Sequence, residues 1–378
     1  MKGQEGRKDA WFTLTTVVGV LALALAPSIH AVILEGTGDP SYNTNAPTGS
    51  LTNSGWQYEG LWSENFLGTP IAPTFFLTAK HIGGYYGSNI VLNGLSYTTT
   101  GNYDDPSTDL RIWQVAQTFP YYAPLYTKSN ELGSACVLIG RGTDRGSVIT
   151  VAGRTNGWQW GTTNNIERWG QSAVSSIYTD TVDYPAAQLL YQLFQPGAGS
   201  NECDLSYNDS GGALFIQDGG STGTWKLAGI NYTVDGPFSY DSSGSHQFIA
   251  ALMDLRGFYF YNGAAWQLVP TNYPTAVPTG FYCTRVSARI PWINSIINYN
   301  LGNDLGIKSV QIVGSDVQIG VITGSNRLYE VDYTTNLVNA VWTALTNNVP
   351  GSGGVVVVTD PGAAANQPAR YYRASVLP

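Results

Sequence analysis

The sequence predicts an all-β protein in two folded units, and three observations carry that expectation. Charged residues make up only 12% of the chain, while glycine (44), tyrosine (24) and tryptophan (11) are abundant, a balance that favours strands and tight turns over long charged helices. Short apolar runs recur between Gly, Asn, Asp and Pro. A length of 378 residues exceeds the usual size of one domain, so two cores are expected.

Lys2, Arg7 and Lys8 give a positive start, residues 11–26 form an apolar run, and the stretch ends in small Ala31. This reads as an export signal over 1–31, cut so that the mature chain starts at Val32. The run is shorter than the ~20 apolar residues that span a bilayer, and no later segment is apolar enough to span. The mature chain is therefore expected outside the cytoplasm, without membrane insertion.

From Val32 to about Asp235, runs at 74–79, 89–97, 110–116 and 227–234 carry the rhythm of a barrel or sandwich. Residues 288–298 (ARIPWINSIIN) then change period: Ile290, Ile293, Ile296 and Ile297 fall at helical spacing, with Pro291 in a first turn. One helix is expected to close a first unit spanning 32–300. Asn, Gly and Asp mark a linker at 301–308. Alternation resumes at 310–322, 328–333, 354–358 and 370–376, which predicts a small β-sandwich over 309–378.

The net charge of -8, with no Lys/Arg cluster in the body of the chain, argues against nucleic acid or anionic membrane as a partner. The three cysteines, Cys136, Cys203 and Cys283, form at most one bridge, and no CxxC or HxxxH spacing suggests a metal. Neither metal nor cofactor is expected.

The chemistry concentrates in 208–214 (NDSGGAL). A serine between an acid and two glycines suits a tight turn whose backbone N–H groups converge on one oxygen. A serine hydroxyl needs a base to take its proton, and only three histidines exist. His30 leaves with the signal, and His246 lies in a Ser/Gly-rich stretch that reads as a solvated loop. His81 follows the buried-looking run PTFFLTA (73–79), so it is expected at a strand's end. Asp109 opens the alternating run DLRIWQV (109–115) and is the candidate to orient the imidazole. Asp104 and Asp105, beside Pro106, read as solvated.

The order His81, Asp109, Ser210, with the segments LTAKH (77–81), DLRI (109–112) and NDSGGAL (208–214), resembles the chymotrypsin/trypsin-like serine protease family. The segment 283–297 (CTRVSARIPWINSII) is similar to that family's last strand and closing helix. The resemblance covers roughly 32–300. It implies a chymotrypsin-like double β-barrel with a closing C-terminal helix and a cleft between the barrels. It further implies a secreted serine endopeptidase acting on polypeptides through an acyl-enzyme, with the backbone N–H groups of Asn208 and Ser210 as the oxyanion hole. A new amino terminus at Val32 would pair with Asp209.

Asp204 falls where trypsin-like members carry the acid that selects Lys or Arg, or is simply a loop carboxylate. The sequence departs from the pattern at Lys80, at Ile82 and at Asn208, which replaces a glycine. The family's bridge between barrels is missing, and Cys203 with Cys283 is the expected pair instead. The tail resembles short β-domains at the ends of secreted bacterial proteins, through LYEVDY (328–333), Trp342 and YYR (371–373), which implies a secreted, periplasmic or cell-surface bacterial location. Its partner is open. The competing reading is a catalytically inactive protease-like binding or adhesion protein; a carbohydrate-binding protein rests on aromatic content alone.

Overall fold

The computed structural model describes residues 32–163, 166–302, 306–323, 327–338, 340–352, 355–366 and 369–377. The export signal expected over 1–31 lies outside the described residues.

After the short strand β1 (Ile33–Leu34), six strands form the first barrel: β2 (Gly60–Trp62), β3 (Phe66–Ala72), β4 (Phe75–Ala79), β5 (Asn89–Leu92), β6 (Leu95–Asp104) and β7 (Leu110–Val115). They close antiparallel in the order β2-β3-β4-β7-β6-β5. The continuous apolar run of β4 has a physical reason, since both its faces are buried. Phe76 points into the barrel with Trp62, Ile90, Tyr97 and Trp113. Phe75, Leu77 and Ala79 face the other way, into a core shared with the second barrel.

The second barrel opens with β8 (Ala135–Gly140). The hairpin β9 (Thr143–Val151) and β10 (Arg154–Thr163) stands off it, followed by β11 (Arg168–Thr179) and β12 (Gln188–Leu193). Strand β13 (Cys203–Asp204) pairs with β1, setting Ile33 opposite Asp204. Then come β14 (Ala213–Asp218) and β15 (Thr224–Val234). An insertion supplies β16 (Phe238–Ser239), β17 (Gln247–Phe248), β18 (Ala250–Leu252), β19 (Tyr259–Tyr261) and β20 (Trp266–Leu268) before β21 (Gly280–Arg285) completes the barrel. The closed order is β11-β12-β21-β15-β14-β8. The insertion carries its own core, where Phe238, Leu252, Leu255 and Phe258 pack together, which accounts for its aromatic richness.

Helix α1 (Ile290–Gly302) follows, burying Ile293 and Ile297 in the shared core. Two closed six-stranded barrels and this helix make the chymotrypsin-like architecture. At the head of the helix Arg289 forms two bonds to Asp105, at 2.6 and 2.7 Å. Asp105 is fully buried, contrary to the solvated turn read from its Pro106 neighbour; the partner that draws it inward lies 184 residues away.

Beyond the helix, β22 (Gly306–Val313), β23 (Asp316–Ile322), β24 (Leu328–Thr334), β25 (Thr343–Pro350), β26 (Val355–Asp360), a short helix α2 (Ala363–Asn366) and β27 (Tyr371–Val376) form two three-stranded sheets, β22-β23-β26 and β25-β24-β27. Val317, Ile319, Val331 and Val358 pack between them. Trp342 lies under the Arg373 guanidinium, 4.5 Å from its ring centre. No helix among the described residues is long and apolar enough to cross a membrane.

The expected Cys203–Cys283 bridge is not formed: all three cysteines are free and buried. They lie in one apolar cluster within the second barrel, where burial pushes each thiol up. Cys283 instead points its Sγ at Asn231 Oδ1, 3.4 Å away.

Candidate active site

Three side chains from distant parts of the chain meet where the barrels face each other. Strand β4 ends at Ala79 and delivers His81, while Asp109 stands one residue before β7. Because β4 and β7 pair with Ala79 opposite Leu110, the two residues just past these strand ends are neighbours. Asp109 is buried at 2% exposure. Its Oδ1 accepts the His81 backbone N–H at 3.0 Å, and its Oδ2 lies 2.5 Å from His81 Nδ1. The other ring nitrogen, Nε2, lies 2.8 Å from Ser210 Oγ. With Nδ1 holding its proton toward the carboxylate, Nε2 is the acceptor for the serine hydroxyl.

Ser210 sits in the turn between β13 and β14, whose shape explains the residues around it. Asn208 adopts φ 75 and Gly211 φ 82, left-handed angles that Asn tolerates and Gly prefers. A Cβ on Gly211 would stand 2.5 Å from Thr78 Oγ1 and 2.8 Å from the Leu67 carbonyl oxygen, so the second barrel touches the first through this glycine. Asn231 ties the turn from beneath, its Nδ2 donating to the carbonyls of Asp209 at 3.0 Å and Ile139 at 2.9 Å. Among the described residues no hydrogen bond uses the backbone N–H of Asn208 or Ser210.

Asp209 points away from the serine into the protein, at 1% exposure. Its carboxylate accepts from Gly142 N–H at 2.7 Å, Ser206 N–H at 2.7 Å and Ser206 Oγ at 2.9 Å, and from the Val32 N–H. Burial pushes its pKa up to about 6, against the pull of those donors. Val32, Ile33 and Leu34 are all fully buried, so the chain's first described residues lie inside the molecule.

A cleft of about 330 Å³ opens beside Ser210 and His81, walled by Phe66, Ile82, Trp160, Tyr207, Tyr232 and Val234. The Tyr232 ring lies 6.0 Å from the His81 ring. Asp204 does not line this cleft. It is 2% exposed, bonded to the Leu205 N–H at 2.8 Å, and held well above the usual carboxylate range by burial and by nearby Asp235. No residue of the 236–280 insertion lines the cleft either; the hairpin β9–β10 contributes Trp160. His246 is an exposed loop residue whose Nδ1 lies 2.6 Å from Asp241 Oδ2, apart from Ser210.

Several residues of the site had no recognisable sequence signal. Asn231 lies within a strand, and nothing local marks it as buried. Gly140 and Gly142 look like ordinary turn glycines until Asp209 is seen against them. Among the described residues no group of His, Cys, Asp and Glu is arranged to hold a metal ion.

No family model matches the chain, and no curated protein matches it. Among solved structures it is similar to neuropsin, a serine protease expressed in the limbic system of mouse brain, at 12% identity and a TM-score of 0.40, over 65% of this chain and 96% of that one.

Proposed function

We propose that this protein is a serine endopeptidase in which Ser210 is the nucleophile, His81 the general base and Asp109 the residue that orients His81. The observation that carries the reading is the unbroken chain from Asp109 Oδ2 through both ring nitrogens of His81 to Ser210 Oγ, at 2.5 and 2.8 Å, at the edge of a cleft. In this reading His81 takes the Ser210 proton as Oγ attacks a peptide carbonyl, and Asp109 stabilises the imidazolium. The oxyanion is met by the uncommitted N–H groups of Asn208 and Ser210. His81 then gives its proton to the leaving amine, and water resolves the acyl-enzyme with His81 again as base.

Cleavage after Ala31 would place the Val32 amino group at Asp209, since the Val32 nitrogen already donates to that carboxylate. Val32 also adopts φ 51, a crowded angle for a β-branched residue within a chain. A free terminus has no preceding carbonyl to clash, so the cut both relieves that strain and supplies a cation to Asp209.

For the substrate, the apolar, aromatic lining of the cleft favours a large uncharged side chain at the cut over Lys or Arg. The tail is read as a separate β-domain, supported by a core drawn from residues between Ile307 and Ala374; its first strand begins at Gly306, so the segment joining it to the closing helix is shorter than the 301–308 expected.

Labelling of the full chain, expressed with export, by a fluorophosphonate tests the activity. The reading requires modification at Ser210 that Ser210→Ala and His81→Ala both abolish. A folded wild type that does not label would overturn it in favour of a protease-like binding protein. A peptide library then reads the preferred side chain, and an Asp204→Asn variant that keeps the wild-type preference supports the aromatic cleft.

A further inference from the structure

Strand β1 is only two residues long and hydrogen-bonds to β13 along one edge. Arginines reach main-chain carbonyls of the same segment. Arg168 Nη1 donates to the Val32 carbonyl at 3.3 Å, and Arg145 Nη1 donates to those of Leu34 at 3.2 Å and Glu35 at 2.8 Å. Arg145 is braced by Trp158, whose ring centre lies 4.3 Å from the guanidinium carbon.

Arg168 is the unusual member. It is 1% exposed, yet among the described residues its hydrogen bonds go to main-chain carbonyls and not to a carboxylate, while Asp144, Asp209 and Asp39 act on it only through their charge. Its other terminal nitrogen donates to the carbonyls of Pro40 at 3.0 Å and Asp39 at 3.4 Å. Its Nε is buried without a partner, and a buried guanidinium met by carbonyls at its two ends alone is costly, so a simple packing role would be better served by an apolar side chain. Its backbone pairs with Gly140, the residue whose missing Cβ makes room for Asp209. Val32 thus stands between the two charges, its carbonyl on Arg168 and its nitrogen on Asp209. Burial lowers the Arg168 pKa to about 10, opposed by Asp144, Asp209 and Asp39, so it remains a cation under ordinary conditions.

We propose that Arg168 is a positioning residue: by gripping the Val32 carbonyl and the 39–40 turn together, it keeps β1 seated against Asp209 and thereby holds the 206–212 turn that presents Ser210. Its effect on turnover rests on the peptidase reading; its effect on the coupling of the two segments does not.

The test is hydrogen exchange by mass spectrometry on the full chain, wild type against Arg168→Gln and Arg168→Lys, alongside kcat and KM for a peptide substrate. Arg168→Gln is expected to speed exchange at least about tenfold in both 32–36 and 206–212 while the β24 and β27 strands exchange as before. It should lower kcat at least about tenfold with KM within about threefold. Arg168→Lys, which keeps the charge but not the two-pronged reach, should fall between the two on both readouts. If Arg168→Gln does not fold, the lysine variant alone decides: exchange faster by at least about threefold in both 32–36 and 206–212 supports the proposal, and faster exchange in 32–36 alone or in neither overturns it. Unchanged exchange in 206–212 when 32–36 has loosened, or unchanged kcat, overturns the proposal and leaves Arg168 a packing residue. A wild type with no hydrolytic activity sinks the peptidase reading, and the paired exchange rates still decide the coupling.

Discussion

Gly142 and Asp209 meet with no room for a methyl group. The Gly142 N–H donates to Asp209 Oδ1 at 2.7 Å, and a Cβ on Gly142 would stand 2.6 Å from Oδ2. Since Asp209 immediately precedes Ser210, this contact fixes the depth at which the serine turn sits. Gly142→Ala is therefore expected to push Asp209 out of its seat. We expect a stability loss of about 1–3 kcal/mol from overpacking, seen in denaturant unfolding, and a fall in kcat of at least about tenfold.

Asn208 makes a second, graded prediction. Its φ of 75 suits Gly, is tolerated by Asn and is strained for a β-branched residue. Asn208→Gly should keep or raise kcat. Asn208→Val should cut it about 100-fold, the scale of losing one oxyanion donor, with little change in KM. Equal rates for the two variants would show that the turn does not depend on this backbone angle.

Glu202 gives a pH dependence. It is 6% exposed, and burial pushes its carboxyl from the ordinary 4.5 up to about 7. Below pH 4.5 both folded and unfolded chains hold the proton, and Glu202 imposes no penalty. Between there and about pH 7 the unfolded chain releases the proton first, so stability falls as pH rises, and above pH 7 the full penalty remains. Glu202→Gln keeps an oxygen for the Gln195 N–H and Ser172 hydroxyl that Glu202 Oε1 now accepts. It should stabilise the protein at pH 8 by about 3 kcal/mol and by nothing at pH 4, measured by unfolding at each pH.

The Arg289–Asp105 pair joins the closing helix to the first barrel. Arg289→Ala leaves a fully buried carboxylate without its two charged bonds and should cost about 3 kcal/mol. Adding Asp105→Asn should recover part of that loss, since the remaining buried group is then neutral. A double variant no better than the single one would show that the pair contributes through packing alone.

How much of this was legible beforehand follows from the range of the forces involved. The all-β class, the closing helix near 290 and the order His81, Asp109, Ser210 were set by features that act over a few residues: alternation, helical spacing, turn glycines and a tight motif. The buried-looking run before His81 marked a strand, and the structure buries it on both faces. The same reasoning failed for Asp105, because a proline turn says solvent while an arginine 184 residues away says core. It also failed for the cysteines, whose number allowed one bridge but whose placement among the interior side chains of the second barrel left all three reduced.

What the sequence determined by itself is therefore the kind of strands and the chemistry that three short motifs offer. Closure of the two barrels decided the rest: that His81 and Ser210, 129 residues apart, come within 2.8 Å, that Asp204 is buried and does not line the cleft, and that Val32 threads between Arg168 and Asp209. Alternation and turn propensity are local and can be read from neighbours. The burial of a charge depends on which distant group satisfies it, and only the packed structure brings that group into place.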